Sequence, residues 1–153
     1  MTETTETAET PVPRPTYELQ QFPEKLAVIK LPAGAELPSW AESSSLFSIT
    51  ATATETSLVC AGRSVPTKVT GAKGLTGFAV MGELDNNVAG VLSELLAPLA
   101  EEEISVFTIS THDTNWFLVP VLAAETAAEA WRGRGHTVAL AVPVPPARKS
   151  KKK

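Results

Sequence analysis

Short apolar or alternating segments recur along the chain, and each of them predicts a β-strand. In 46–50, for example, Phe47 and Ile49 face one side of the strand while the polar residues between them face the other. Other segments are continuous apolar runs, which are typical of strands buried on both faces. The predicted strands are 26–31, 46–50, 57–60, 78–81, 105–109, 116–119 and 137–142.

Two segments have the apolar spacing that is typical of amphipathic helices. In 88–103, aliphatic side chains recur every three or four positions and form one stripe. The second segment, 123–132, is rich in alanine and carries Trp131 on its apolar side, and Gly133 or Gly135 can end it. A short polar side chain before the first helix can accept one of its unpaired N–H groups, and the candidates are Asp85, Asn86 and Asn87.

One stretch of the chain resembles a second one. Residues 45–60 align without a gap with 105–120, at an offset of sixty residues. Six positions are identical, where chance gives about one. Upstream, 26–29 resembles 78–81, so each copy follows the order strand, helix, strand, strand. The second copy completes the β-α-β-β-α-β order of ferredoxin-like folds. In the first copy, 61–74 is too short and too glycine-rich for a second helix, and its closing strand is either missing or borrowed.

These patterns predict an α+β fold of two ferredoxin-like units with a tail at each end. The first unit, 17–74, is abbreviated, and 75–142 forms the second. The glycines of 71–77 predict a flexible connector between the two copies. Residues 1–16 and 143–153 contain too few large apolar groups to offset the entropy of ordering, and we expect both tails to be disordered.

Composition and charge argue against several classes of protein. The 153 residues, 43% of them hydrophobic, suffice for one core or for two small units that share one. A net charge of -4 lacks the overall basic field of a nucleic-acid-binding protein. The chain has no apolar run of transmembrane length and no secretory signal pattern, and Cys60 is its one cysteine. We therefore expect a soluble, cytoplasmic protein without a membrane or nucleic-acid partner.

The sequence predicts neither a catalytic centre nor a metal site. His112 and His136 are far apart and lack neighbouring residues with metal-ligand spacing. Cys60 ends an apolar strand, which is typical of a small buried residue rather than a nucleophile. The motif GAKGLTG at 71–77 is neither a P-loop nor a dinucleotide-binding turn. The basic tail 148–153 predicts no specific function. We expect a protein that is not an enzyme and needs no cofactor.

A polar turn at 110–115, together with the start of the first predicted helix, is the candidate ligand site. Backbone N–H groups at a helix start are free to bind a carboxylate, and glycine permits close approach. The polar turn could bind an ammonium group, so the pair would suit a zwitterionic amino acid. The same residue types are ordinary turn formers, which is the alternative interpretation. The candidate residues are Gly90, Val91, Thr111, His112, Asp113, Thr114 and Asn115.

Several motifs of the second half follow one another in an order shared with a known family. A strand ends in a Gly-x-Leu-Asp turn, a helix opens with Ala-Gly-Val, and a Leu-Ala-Pro-Leu-Ala segment, an Ile-Ser-x-Phe strand and a Ser-Thr-x-Asp-Thr turn follow. With LAVIKLP, Trp40, LFSIT and SLVC in the first half, these motifs resemble the CASTOR-type ACT domain family over nearly all of 25–140. The second-half motifs are Gly82–Asp85, Ala89–Val91, Leu96–Ala100, Ile104–Phe107 and Ser110–Thr114.

This resemblance implies tandem ACT units that bind amino acids at unit interfaces, in a homo-oligomer or with a regulated protein partner. The arginine sensors of the family carry carboxylates at the positions of Asn115 and Val88, and this chain does not. Asp113 could partly compensate, so arginine and a neutral or smaller amino acid remain alternatives. The first-copy turn, 51–56, lacks the Asp, and a second identical site is not expected.

The resulting hypothesis is an amino-acid-binding sensor or allosteric regulator. The alternative is a non-catalytic interaction subunit, for example of an amino-acid biosynthetic enzyme such as aspartate kinase, that binds no small molecule.

Overall fold

The computed structural model describes residues 14–85 and 87–141. Most of the predicted N-terminal tail, the candidate cap Asn86 and the predicted tail 143–153 lie outside these residues. The described strands are β1 (Glu18–Pro32), β2 (Ser48–Ala51), β3 (Glu55–Ala61), β4 (Gly71–Val80), β5 (Phe107–Ser110), β6 (Asn115–Pro120) and β7 (Thr137–Leu140), and the helices are α1 (Val91–Glu101) and α2 (Ala124–Gly133).

These seven strands form one curled sheet in the order β2-β3-β1-β4-β6-β5, with β7 paired beside the start of β1. Every pair is antiparallel except β1 with β7, which is parallel. Strands β1 and β4 are long enough to run through both halves of the sheet. The predicted boundary between the units, after residue 74, therefore lies inside β4. The fold is a mixed α/β arrangement of two helices on a largely antiparallel sheet.

The predicted flexible connector at 71–77 is wrong, because these residues form most of β4. Gly71 pairs with Ile29 in the β1–β4 ladder. A Cβ atom at Gly71 would lie 2.7 Å from the carbonyl oxygen of Val28, and one at Gly77 would lie 3.2 Å from the ring of Trp116. Glycine is needed here because neighbouring groups approach the backbone closely, and not because the segment is mobile.

Strand β1 changes its partners at Pro23. The register between β1 and β4 shifts between Phe22 and Leu26. Proline has no N–H group to donate to a ladder, so it is tolerated in a strand only at such an irregularity or at an edge. The buried hydroxyl of Thr76 donates a hydrogen bond of 2.9 Å to the carbonyl of Phe22. Before this point β1 lies between β4 and β7, and after it β1 lies between β3 and β4.

The two helices cover the sheet in the second half of the chain. Trp131 of α2 is fully buried and packs edge-on against Phe78 and Phe117, with ring centroids 4.9 and 5.8 Å apart. Its indole Nε1–H donates to the carbonyl of Leu95 in α1 at 2.8 Å. The other buried members of this core are Leu19, Val80, Val91, Leu95, Leu99, Val119, Ala124, Ala127 and Ala128.

Loops take the place of helices in the first half of the chain. Trp40 and Phe47 from one loop, and Val65 and Val69 from another, pack on the sheet where helices would otherwise lie. Cys60 is fully buried beneath them, as the sequence predicted, and this burial raises the pKa of its thiol. The remaining buried residues of this cluster are Ala27, Ile29 and Leu58.

The two hairpins are similar, but the alignment that related them is one residue out of step. The β2–β3 turn is closed by a bond from the N–H of Thr52 to the carbonyl of Glu55. The β5–β6 turn is closed in the same way from Thr111 to Thr114. The turns therefore correspond at an offset of 59 residues, and the predicted offset of sixty is wrong at these hairpins.

This difference of one residue places aligned side chains on opposite faces of the sheet. Ile49 lies opposite Leu58 and Ile109 lies opposite Trp116 in their hairpins. Leu58 packs in the cluster under the first-half loops, whereas Ile109 and Trp116 pack against the other face. Because side chains alternate along a strand, a slip of one position exchanges the faces. The identical letters at Ile49 and Ile109 therefore do not mark equivalent positions.

Candidate functional site

A cavity of about 270 Å³ lies where the segment after β4, the start of α1 and the β5–β6 turn meet. Five of the predicted site residues line it: Gly90, Val91, Thr111, Thr114 and Asn115. The resemblance and the local chemistry both pointed to these two segments. The structure brings them together because β4, which leads into α1, pairs directly with β6, which follows the polar turn.

Helix α1 begins at Val91, three residues later than predicted. Gly90 precedes it with φ +90°, a left-handed conformation that a helix cannot contain and that glycine adopts readily. Among the described residues no side chain caps the helix, so the predicted capping role of Asp85 or Asn87 is wrong, while Asn86 lies outside those residues. The first N–H groups of α1 therefore have no partner within the helix, and they carry its partial positive charge toward the cavity.

The hydroxyl groups of the polar turn are used largely within the turn. Thr111 Oγ accepts a bond of 3.1 Å from the N–H of Thr114. Thr114 Oγ donates at 2.6 Å to the carbonyl of Val80 at the end of β4. Ser110 Oγ donates at 2.7 Å to the side-chain oxygen of Asn115. These bonds hold the turn against β4 and fix one wall of the cavity.

We expect Thr114→Val to destabilise the protein by about 1 kcal/mol, because the isosteric side chain cannot donate to Val80. Urea unfolding followed by tryptophan fluorescence measures this difference. Thr54→Val is the control, since Thr54 is exposed in the β2–β3 turn and its side-chain hydroxyl pairs with the exposed hydroxyl of Thr52. Equal unfolding midpoints for the two variants would contradict the anchoring role of Thr114.

His112 and Asp113 lie at the tip of the turn and do not line the cavity. Their side chains are 85% and 65% exposed, and Nδ1 of the histidine lies 2.6 Å from Oδ1 of the aspartate. The backbone carbonyl of Asp113 accepts a bond of 2.9 Å from the N–H of Leu84, which does line the cavity. These two predicted residues are thus set apart from the other five.

Asp85 is the lining residue whose role the sequence did not reveal. It stands in the loop between β4 and α1, where its Oδ1 accepts bonds of 2.9 and 3.2 Å from the backbone N–H and side-chain amide of Asn87. Among the described residues that line the cavity, Asp85 bears the only ionisable side chain. An acidic residue between a strand and a glycine-started helix was a signal for this position, but it resembled a helix cap.

The remaining wall of the cavity is aliphatic. Leu84 and Leu92 are half-buried, whereas Val88 is 52% exposed although it borders the cavity. The site therefore combines free N–H groups, one carboxylate and an apolar wall that opens to solvent. Such a set can bind a small molecule carrying both charges and an apolar part.

No three His, Cys, Asp or Glu side chains of 14–85 and 87–141 cluster so as to hold a metal ion. No helix in this part of the chain is both long and apolar enough to cross a membrane.

Two families match parts of the sequence. Residues 73–132 match the ACT domain family. Residues 24–68 match a second family, whose description is that of an N-terminal domain. A search among curated proteins finds no match. The ACT match contains α1, the polar turn and most of α2, and thus every residue that lines the cavity.

Several solved structures share the fold. A protein from Agobacterium tumefaciens is 26% identical, with a TM-score of 0.78 over 86% of this chain and 98% of its own. Aspartokinase α and β subunits are 11% identical, with a TM-score of 0.57 over 79% of this chain and 99% of theirs.

The regulatory subunit of aspartate kinase from Thermus flavus is 8% identical, with a TM-score of 0.53 over 79% of this chain and 97% of its own. At these identities, the likeness to the aspartate kinase structures concerns the fold. The chain thus contains a segment, 73–132, that matches the ACT domain family, set in a fold similar to that of the regulatory subunit of an aspartate kinase.

Proposed function

We propose that this protein is a non-catalytic regulator that binds a free amino acid at the cavity beside the start of α1. The observation that supports this most strongly is the meeting of unpaired helix N–H groups, the Asp85 carboxylate and an aliphatic wall in one small cavity. In this proposal the chain is a cytoplasmic, CASTOR-like protein with tandem ACT-like units, 17–74 and 75–142, that are joined in one sheet through β1 and β4.

The chemistry of the walls suggests how the ligand is oriented. Its carboxylate accepts bonds from the first N–H groups of α1, where the helix dipole favours negative charge. Its ammonium group faces Asp85, and its side chain lies along Val88 and Leu92. A cationic side chain would need a second carboxylate, which the described lining lacks. A neutral amino acid therefore fits better than arginine.

The open side of the cavity supports a ligand site at an interface. Ligand pockets typically enclose about 300–1,000 Å³ and cover most of their ligand. At about 270 Å³ this cavity suits a small ligand, yet it leaves the aliphatic side chain of Val88 half exposed. A neighbouring unit or a second copy of the chain would cover the bound ligand and the side chain of Val88. Ligand binding would then favour this packing of the two partners over others.

A thermal-shift screen of the twenty amino acids, followed by calorimetry, tests the proposal. A ligand at a hundred times its dissociation constant adds about 2.7 kcal/mol to the free energy of unfolding. Asp85→Asn should weaken binding about tenfold or more, because the ammonium group loses its charged partner. Asp113→Asn tests the other candidate carboxylate in the same assay. Glu36→Gln, which removes an exposed charge far along the chain, should leave the affinity unchanged.

The outcome also decides between this proposal and an interaction subunit without a ligand. The internal bonds of Thr111 and Thr114 favour that second function, since they account for the polar turn without any ligand. If no amino acid raises the unfolding temperature, the sensor is excluded and the interaction subunit is favoured. If an amino acid binds to Asp85→Asn and to Asp113→Asn as tightly as to the native chain, the proposed site is wrong.

A further inference from the structure

A histidine is buried where the N-terminal strand, α1 and the segment before β7 meet. The side chain of His136 is fully enclosed, although it stands only one residue before β7. It lies away from the ligand cavity and is not among the residues lining it. An imidazole in water changes its charge near neutral pH, and in a buried one the hydrogen bonds decide which form the fold accepts.

One ring nitrogen of His136 holds the start of β1. The backbone N–H of Tyr17 donates to Nδ1 at 3.0 Å. The carbonyl of Tyr17 accepts a bond of 3.0 Å from the N–H of Thr137, where the parallel β1–β7 pairing begins. Because Nδ1 accepts a hydrogen bond here, it carries no proton, and the neutral ring has its hydrogen on Nε2.

The other ring nitrogen faces a carboxylate. Nε2 lies 3.7 Å from Oε1 of Glu94, which belongs to the first turn of α1. Both atoms are buried, and within the described part of the chain neither has a hydrogen-bond partner. The backbone N–H of Glu94 in turn donates to the carbonyl of Gly90 at 2.9 Å. His136 therefore lies between the strand that it holds and the helix that begins at the cavity.

Two charged groups and one aromatic ring on the surrounding elements lie near this imidazole. Glu94 faces it from α1, Arg134 follows α2, and the ring of Tyr17 lies 5.6 Å away before β1. Burial lowers the pKa of His136, the Glu94 carboxylate opposes this change, and the Arg134 guanidinium adds to it. Arg134 itself is paired with Glu101 of α1.

We propose that His136 holds the N-terminal part of β1 in the sheet while its ring is neutral, and that protonation of the ring releases this part of the strand. When the ring is neutral, Nδ1 accepts the Tyr17 N–H and keeps Glu18–Phe22 between β4 and β7. A second proton occupies the lone pair of Nδ1, and the Tyr17 N–H then meets another donor instead of an acceptor. The bond is lost, and the start of β1 separates from both of its neighbours, β4 and β7.

The direction of the pH effect follows from the depressed pKa. We call the state in which the start of β1 is paired the closed state, and the state in which it has separated the open state. An unconstrained histidine takes up its proton near pH 6.5, and His136 does so at a lower pH in the closed state. Below about pH 6.5 the open state therefore binds more protons than the closed state. The closed state is fully stabilised above that pH and loses stability as the pH falls toward the pKa of the buried ring.

Hydrogen exchange of the native chain between pH 7.5 and 5.0 tests this proposal. After correction for the intrinsic effect of pH, protection of the amides of 17–22 should fall by up to about tenfold for each pH unit below 6.5. Amides of the β2–β3 hairpin should keep their protection. Protection of 17–22 that does not change with pH would overturn the proposal.

Two variants separate this role from a purely structural one. In His136→Asn, the side-chain oxygen stands near the position of Nδ1, accepts the Tyr17 N–H and cannot titrate. This variant should keep 17–22 protected and lose the pH dependence. His112→Asn removes the other, exposed histidine and should keep the dependence. If the dependence persists in His136→Asn, another group is responsible; should that variant not fold, the imidazole resonances of the native chain must follow the same pH curve as the exchange.

Discussion

Truncation of Trp131 to alanine is expected to destabilise the protein by about 3–5 kcal/mol. The indole is fully buried between the two helices and the sheet, so its removal leaves a large cavity and takes away edge-on contacts with Phe78 and Phe117. It also removes the hydrogen bond to the carbonyl of Leu95, which ties α2 to α1. Denaturant unfolding followed by far-UV circular dichroism measures the loss.

Two control variants show which part of this loss comes from packing. Trp131→Phe keeps a buried ring and removes the Nε1–H donor, so we expect a smaller loss of about 1–2 kcal/mol. Leu122→Ala changes a side chain that is 99% exposed and should leave the stability unchanged. If Trp131→Ala were no worse than Leu122→Ala, the helices would not share the core described here.

Gly71→Ala is expected to destabilise the protein by about 1–3 kcal/mol, because the added methyl group overpacks the β1–β4 ladder. Its Cβ would lie 2.7 Å from the carbonyl oxygen of Val28, which belongs to the backbone and cannot move alone. The same change in a flexible connector would have no cost and would even stabilise the protein by restricting the unfolded chain. The substitution therefore distinguishes a continuous β4 from a hinge.

Gly133→Ala is the matched control for this substitution. Gly133 ends α2, and a Cβ atom there meets nothing within 4 Å. Alanine should be neutral or slightly stabilising, because it favours helix more than glycine does. If both variants unfold at the same denaturant concentration, Gly71 is not closely packed and β4 does not extend to it.

The core elements were readable from local patterns. Both helices lie within two or three residues of their predicted bounds, because an apolar stripe and a following glycine act within a few turns of chain. Short strands such as β6 and β7 were predicted for the same reason. Two of the errors fall on glycine: Gly71 reflects close packing with β1, and Gly90 delays α1. Neither position carries a local sign of what surrounds it.

The candidate site was predictable in part. The polar turn and the helix start were identified because unpaired N–H groups and turn-forming side chains belong to short segments. Which side chains of the turn enter the cavity depends on the twist and register of β5 and β6. That register turns Asn115 toward α1 and leaves Asp113 at the exposed tip. Asp85 enters the site only because the loop after β4 folds back against the turn.

The sequence by itself determined the helices, most of the strands and the two segments that form the cavity, since each depends on residues close together along the chain. Only the tertiary structure decided the joining of both halves in one sheet, the offset of 59 residues between the hairpins, and the enclosure of His136 between Tyr17 and Glu94. These features depend on contacts between residues far apart in sequence. Their energies come from burial and pairing that local patterns do not encode.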